Sequence, residues 1–155
     1  MANFSTGFKK AANGFGADVS IKTTMADFVM AIYGGSSMPA SADAAEVGDL
    51  LGLVTKSGLA FVPGNSANGL NFEVSSAGLL VRPEDDEWAC VPILSGQARY
   101  VRVYDNNMVT GASTTAVRFD ISAGVTTGEA VFLNLSLVAG QRIYVRDVAI
   151  DLFKA

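Results

Sequence analysis

The residues best suited to chemistry in this chain are four consecutive acids, Glu84 to Glu87, directly before Trp88 and Cys90. Carboxylates can bind a hard cation or act as the acid and base of glycoside hydrolysis. A calcium site commonly takes oxygens from alternating positions around a glycine, whereas contiguous side chains on an extended backbone point to opposite faces. Glycosidase carboxyls must also face each other across a cleft, which sequence neighbours cannot do. The spacing therefore favours a solvated turn ahead of a strand, with Trp88 and Cys90 in the core.

The same acidic turn has a second interpretation as a contact for a partner protein. In that case Glu84, Asp85 and Asp86 would meet a basic surface on a neighbouring subunit.

Composition argues against an enzyme. The 155 residues include no histidine and one cysteine, so the commonest general base and the usual catalytic triads are missing. Transition-metal clusters lose their usual ligands for the same reason. The sequence also contains no phosphate-binding, esterase or metalloprotease motif. We therefore expect no catalytic residue, no cofactor and no metal site.

The distribution of charge excludes further classes. The net charge is −4, and residues 25–87 contain nine acids against two bases. Nucleic-acid binding needs clustered lysine and arginine, which this acidic middle does not supply. No window approaches the roughly 18 apolar residues of a membrane helix, and the N-terminus lacks the apolar stretch of a secretory signal.

The first 24 residues differ in composition from the remainder. They are rich in glycine and asparagine and mildly basic. We predict an extended N-terminal arm at residues 1–24 that orders on a partner, followed by a single domain at residues 25–155. The alternative is an N-terminal strand that caps the domain's own core. The candidate partner contacts in the arm are Phe4, Phe8, Lys9, Lys10 and Phe15.

From residue 25 onward, short apolar runs alternate with turn signals. About nine strands at roughly 8–12-residue spacing indicate an all-β fold, either a single antiparallel β-sandwich or a jelly-roll-like barrel. Between the first two strands, residues 36–52 are small and polar, with one short helical turn expected near residues 42–47. The candidate runs, ten in all, from which about nine strands are expected, are Asp27–Tyr33, Leu50–Val54, Leu59–Val62, Leu70–Val74, Leu79–Arg82, Trp88–Leu94, Arg99–Tyr104, Val117–Ile121, Ala130–Leu137 and Gln141–Phe153.

One strand presents a candidate interface. In R-Y-V-R-V-Y the two valines are expected to face the core, which leaves Tyr100, Arg102 and Tyr104 as an outward stripe. Tyrosine and arginine are enriched among the residues that dominate binding energy at interfaces. The alternative is an ordinary sheet face covered by a loop or by a second sheet.

Two other strands show informative alternation. In Ala130–Leu137 the valine and the three leucines share one face. In the last run the apolar parity changes near Arg146 and Asp147, which predicts a β-bulge there.

Three stretches of the chain carry a resemblance to a known family. They are I-Y-G-G-S-S-M-P-A-S-A-D-A-A-E-V-G-D-L-L-G (Ile32–Gly52), G-L-A-F-V-P-G-N-S-A-N-G-L-N-F (Gly58–Phe72) and S-G-Q-A-R-Y-V-R-V-Y (Ser95–Tyr104). Together with the turn before Trp88, they resemble small proteins encoded among the virion-structural genes of tailed bacteriophages and prophages. The resemblance covers roughly Asp27 to Leu137 and leaves the arm outside. It implies a non-enzymatic, β-rich virion component made in the bacterial cytoplasm.

Within a virion, three placements are consistent with the sequence. The first is a capsid decoration protein that stabilises the major capsid shell as a homo-oligomer, a trimer or a dimer. The second is a tail, neck or adaptor component. The third is a carbohydrate-binding sandwich displayed on the particle, with Tyr100 and Tyr104 as its exposed aromatic residues.

Overall fold

The computed structural model describes residues 2–12 and 21–152 and shows a mostly β protein, with 35% strand and 8% helix. The strands are Asn3–Phe4 (β1), Val29–Tyr33 (β2), Leu50–Lys56 (β3), Glu73–Val74 (β4), Leu80–Val81 (β5), Trp88–Cys90 (β6), Gly96–Gln97 (β7), Tyr100–Tyr104 (β8), Arg118–Gly124 (β9), Ala130–Phe132 (β10), Ser136–Leu137 (β11) and Ile143–Ile150 (β12). The helices are Thr6–Ala12 (α1) and Ile21–Thr24 (α2). No helix in the described part is long and apolar enough to cross a membrane.

Seven strands close into a mixed barrel. Their order is β9–β8–β2–β3–β6–β12–β10, and β10 pairs back onto β9. Every neighbouring pair in this ring is antiparallel except β10 with β9, which is parallel. The all-β prediction is therefore confirmed, whereas the expectation of purely antiparallel pairing is wrong at the pair that closes the barrel. Closure removes the open sheet edges that invite aggregation.

The predicted bulge in the last strand is confirmed. Val131 of β10 pairs with Asp147, but the next residue, Phe132, pairs with Val145. Arg146 is therefore the extra residue on β12. The bulge explains why Val145 and Val148, which have opposite parity, are both buried.

The core contains Trp88 and Cys90, as the sequence predicts. Trp88 packs edge-on against Phe28 and Phe72, with ring centroids 5.4 and 5.8 Å away. Cys90 lies against Gly52, where an added Cβ would be 2.5 Å from the thiol sulfur. Burial raises the pKa of the Cys90 thiol to about 12, so it is protonated and unreactive at neutral pH.

Several predicted elements differ from the structure, including the strand predicted at Trp88–Leu94, which ends at Cys90, and that predicted at Leu70–Val74, of which only Glu73–Val74 forms a strand. The chain turns at Ser57 and Gly58, which both have positive φ, and residues 59–62 do not form a strand. Residues 42–47 form no helix. Residues 130–137 are not one strand, because β10 ends at Phe132 and the Asn134 side chain accepts a hydrogen bond from the Ser136 backbone nitrogen. The alternation predicted for the leucines therefore fails.

Candidate interaction surface

The face of β2, β8 and β9 that points away from the core is covered. Tyr100, Arg102 and Tyr104 are 0% exposed, while Val101 and Val103 belong to the core, so the predicted alternation is correct. The prediction that this stripe is available to a partner is wrong. Residues 36–49, called here the cover segment, lie over it and form hydrogen bonds with it.

Two buried arginines hold the cover segment. Arg102 forms a two-pronged ion pair with Asp120, with N–O distances of 2.6 and 2.9 Å, and donates to the carbonyl of Ala44 at 2.8 Å. Arg118 is also 0% exposed. The guanidinium of Arg118 donates to backbone carbonyls of Ala42, Asp43, Ala44, Val109 and Gly111. Charged donors of this kind form the stronger class of protein hydrogen bond.

Glu46 of the cover segment completes this network. One carboxylate oxygen lies 3.1 Å from Arg102 and 3.3 Å from Arg118, and it accepts a hydrogen bond from the Tyr104 hydroxyl at 2.6 Å. The other oxygen accepts from the Gly111 backbone nitrogen at 2.9 Å. Two arginines therefore face two carboxylates, those of Glu46 and Asp120, with no excess charge.

The electrostatics of the network indicate a structural role. Burial acts to raise the pKa of Glu46, but the hydrogen bond from Tyr104, the hydrogen bonds from backbone nitrogens and the charge of Arg102 outweigh it, and the pKa lies below its ordinary value. Burial raises the pKa of Tyr100 to about 12. The Tyr100 hydroxyl donates to the Val47 carbonyl and accepts from the Val47 nitrogen. These two hydrogen bonds hold the backbone of Val47 in the cover segment against β8.

The N-terminal residues pack on the barrel itself. β1 pairs with β9, and Phe8 is 3% exposed within the core. Phe4 stacks on Phe8 at a centroid distance of 4.8 Å, and both rings contact Phe119. Residues 2–12 thus follow the second alternative, a strand that caps the domain's own core, rather than an extended arm. Lys9 and Lys10 are exposed, whereas Phe15 lies outside the described residues.

The first helix is fixed at its start by two side chains. The Ser5 hydroxyl accepts a hydrogen bond from the Phe8 nitrogen at 3.0 Å, which is an N-terminal cap. Asp43 of the cover segment accepts from the Thr6 backbone nitrogen at 2.7 Å. At Gly7 an added Cβ would lie 2.4 Å from the Ala116 carbonyl oxygen, so only glycine permits this approach. The N-terminal residues and the cover segment therefore support each other.

The acidic turn, Glu84 to Glu87, leads into β6 as the sequence predicts. The Arg82 guanidinium donates to backbone carbonyls of Pro83 and Asp86 within the turn and to that of Arg146 on β12. Glu84, Asp85 and Glu87 are exposed, and Asp86 is partly buried beside Lys56 at 3.7 Å. No group of three or more potential metal ligands lies together among residues 2–12 and 21–152.

An exposed apolar surface lies next to this turn. Six large apolar side chains, called here the apolar patch, come from residues 91–94 and 133–144: Val91, Ile93, Leu94, Leu133, Val138 and Tyr144. Their exposure reaches 63% at Leu133 and 71% at Ile93. Hydrogen bonds hold the two stretches together, from the Gly140 nitrogen to the Pro92 carbonyl at 2.8 Å and from the Ala139 nitrogen to the Ser95 hydroxyl at 2.9 Å.

Sequence reasoning missed this patch because it assigned both stretches to half-buried strands. One signal was available in the run V-P-I-L-S-G, where three apolar residues surround and follow a proline and stand before a glycine turn. Proline cannot donate to a sheet, so this run ends β6 and exposes the side chains that come after it.

Comparisons with protein-family models, curated proteins and solved structures found no match to this chain.

Proposed function

We propose that this protein is a non-enzymatic structural subunit of a tailed-bacteriophage virion, and specifically a capsid decoration protein that binds and stabilises the major capsid shell. The observation that carries the proposal is the apolar patch. Contiguous apolar surface on a folded domain is typical of protein–protein contact sites. The resemblance of Ile32–Gly52, Gly58–Phe72 and Ser95–Tyr104 to phage structural proteins supports the virion setting.

The construction of the barrel also supports a structural role. Four ionisable groups with shifted pKa values, Glu46, Arg102, Tyr104 and Asp120, bond to one another and to the cover segment. A subunit that must resist pressure on a shell benefits from such internal cross-connections, because they resist local opening. We further propose that the barrel is of the jelly-roll-like type.

The surface charges offer contacts to the shell. Among the residues predicted as partner contacts, Lys9, Lys10, Glu84 and Asp85 are exposed. We propose that these charges set the orientation of the subunit on the shell, since exposed charges act mainly on association rate and specificity.

A tail, neck or adaptor position is the second candidate, and the same apolar patch favours it, since those components also assemble through protein contacts. The carbohydrate-binding alternative loses its support. Its aromatic residues, Tyr100 and Tyr104, are 0% exposed beneath the cover segment.

The deciding experiment measures copy number on particles. Purified virions are separated on a gel, and this protein is quantified against the major capsid protein. Hundreds of copies per particle support decoration, whereas a dozen or fewer would point to a tail or neck position. Absence of the protein from washed virions would contradict both.

Variants then test the charged contacts. Wild-type protein is added to particles that lack it, beside the paired reversals Lys9→Glu/Lys10→Glu and Glu84→Lys/Asp85→Lys. We expect one or both pairs to lower occupancy strongly at low salt. Asp49→Lys is the matched control, because Asp49 is an exposed acid elsewhere on the surface. Equal occupancy for all variants would show that these charges do not orient the subunit.

A further inference from the structure

We propose that the apolar patch binds a second copy of this chain, patch against patch across a two-fold axis. In the proposed function the patch marks the protein as one that assembles with others. This inference goes further, because it names a second copy of the chain, and not the shell, as the molecule that covers the patch.

The first argument is the shape of the patch. Leu133, Val138, Ile143 and Tyr144 line an open cavity of about 290 Å³ together with polar neighbours. The stretch at residues 91–94 is hydrogen-bonded alongside and presents the Ile93 side chain, which is 71% exposed. The two stretches therefore offer a recessed and an exposed apolar element, and a two-fold contact lets each copy supply both.

The second argument is the charge at the border of the patch. Residues 91–98 carry no charge, and residues 130–145 carry only Arg142. Arg142 lies 3.8 Å from Glu87, so the patch adjoins the acidic turn. Tyr144 lines both the apolar cavity and the groove beside that turn.

Positive and negative groups are equal in number at this border. The four acids of the turn lie near four cations, namely Lys56, Arg82, Arg142 and Arg146. A border that contains both signs is complementary to its own copy, because a two-fold axis sets the acids of one chain near the cations of the other. A strongly anionic partner, such as nucleic acid or an acidic lipid surface, would instead meet the exposed acids Glu84, Asp85 and Glu87.

The number of available residues is also adequate. One side of a standard interface uses roughly 20–30 residues. The exposed and partly exposed residues of stretches 91–98 and 130–145, together with the acidic turn, number about that many.

The test is sedimentation equilibrium of the purified chain over a wide concentration range. We expect a concentration-dependent shift from the 16.1 kDa monomer to a species of twice that mass. Leu133→Asp and Ile93→Asp should each weaken self-association by at least roughly tenfold, because a charge at the centre of an apolar contact is desolvated without a partner. Both side chains are exposed in the monomer, so thermal unfolding of the variants should match that of the wild type.

The matched control is Val62→Asp, a charge placed at an exposed apolar side chain that is not part of the patch. It should leave self-association unchanged. A wild type that stays monomeric throughout, a trimeric mass, or equal weakening by Val62→Asp would each overturn the proposal. A dimer that fails to bind particles would contradict the proposed virion function and leave this inference standing.

Discussion

On two surfaces of this barrel, the exposure of the side chains is the reverse of what their residue types indicate: polar and charged side chains are buried on one, and apolar side chains are exposed on the other. The outer face of β2, β8 and β9 contains tyrosines, arginines and an aspartate, yet these side chains are buried beneath the cover segment. The apolar patch contains valine, leucine and isoleucine, yet those side chains face solvent. The first surface is covered by a segment of the same chain, whereas no described residue covers the second.

Residue type alone therefore does not locate an interface. Tyrosine and arginine are enriched in interfaces because they combine large area with polar ends. The same property allows them to fill a contact between a sheet and its own loop, where the ends bind backbone carbonyls. The difference between the two surfaces can be measured by comparing the stability of a variant substituted on the covered face with that of a matched variant substituted at or near the patch.

The largest contrast is expected between two arginines. Arg102→Ala leaves Asp120 buried without its two-pronged partner, which costs about 3–5 kcal/mol of unfolding free energy. Arg142→Ala removes an exposed pair with Glu87, in which both side chains are nearly half exposed, and costs below about 1 kcal/mol. Urea unfolding of the two variants measures both values.

The double variant Arg102→Leu/Asp120→Leu sharpens this result. If the cost of Arg102→Ala comes from an unpaired buried charge, removal of both charges should restore part of the lost stability. Equal losses for Arg102→Ala and Arg142→Ala would show that the cover segment does not bury the network in solution.

The N-terminal residues belong with the covered region, and Phe8 tests that assignment. Phe8→Ala should lose about 3 kcal/mol, because the ring lies in the core against Phe119. Lys9→Ala, one residue further along the same helix and exposed, should change stability by less than about 0.5 kcal/mol. An unchanged stability of Phe8→Ala would return these residues to the role of a free arm.

A smaller contrast compares two tyrosine hydroxyls. Tyr104→Phe removes a hydrogen bond of 2.6 Å to the Glu46 carboxylate, which should cost about 1.5–3 kcal/mol. Tyr144→Phe removes the hydroxyl of a side chain that is 41% exposed, and it should be neutral for folding. Thermal unfolding at one pH ranks the two, and a neutral Tyr104→Phe would mean that water replaces the tyrosine.

The fold was largely predictable from alternation and turn residues. The period of two correctly identified which side chains of β8 face the core, and its change of phase correctly located the bulge at Arg146. The parallel closing pair of β10 with β9 was not predictable, because two residues of pairing leave no pattern in a sequence.

The candidate site was predictable only in its parts. Alternation shows which side of a strand a residue occupies, but it contains no information on what lies over that side. The cover segment has small and polar residues, such as Ala42 and Ala44, whose backbone carbonyls do the binding. Since every residue has a carbonyl, this role leaves no signature in the sequence. The apolar patch was missed for a related reason, because alternation does not show that no segment lies over those side chains.

The smallest expected effect is a dependence of stability on pH, which should arise from the covered face and not from the acidic turn beside the patch. The pKa of Glu46 is lowered from its ordinary value of 4.5, so the folded state binds a proton more weakly than the unfolded state. The stability that this carboxylate contributes is present above about pH 4.5 and is lost as pH falls through the lower pKa of the folded state. The pKa of Asp43 is also lowered, because its bonds to Thr6 outweigh burial, and it acts in the same direction.

Thermal unfolding followed from pH 7 downward should therefore show the loss of the Glu46 and Asp43 contributions below about pH 4.5, partly offset by Asp120, whose pKa is raised by burial. Glu46→Gln cannot titrate at this position, so it should lower stability at pH 7 and flatten the fall. Glu84→Gln is the control on the acidic turn, where the side chain is exposed and outside the network. If both variants flatten the fall equally, the acid sensitivity belongs to the whole acidic surface and not to the contact between the cover segment and the barrel.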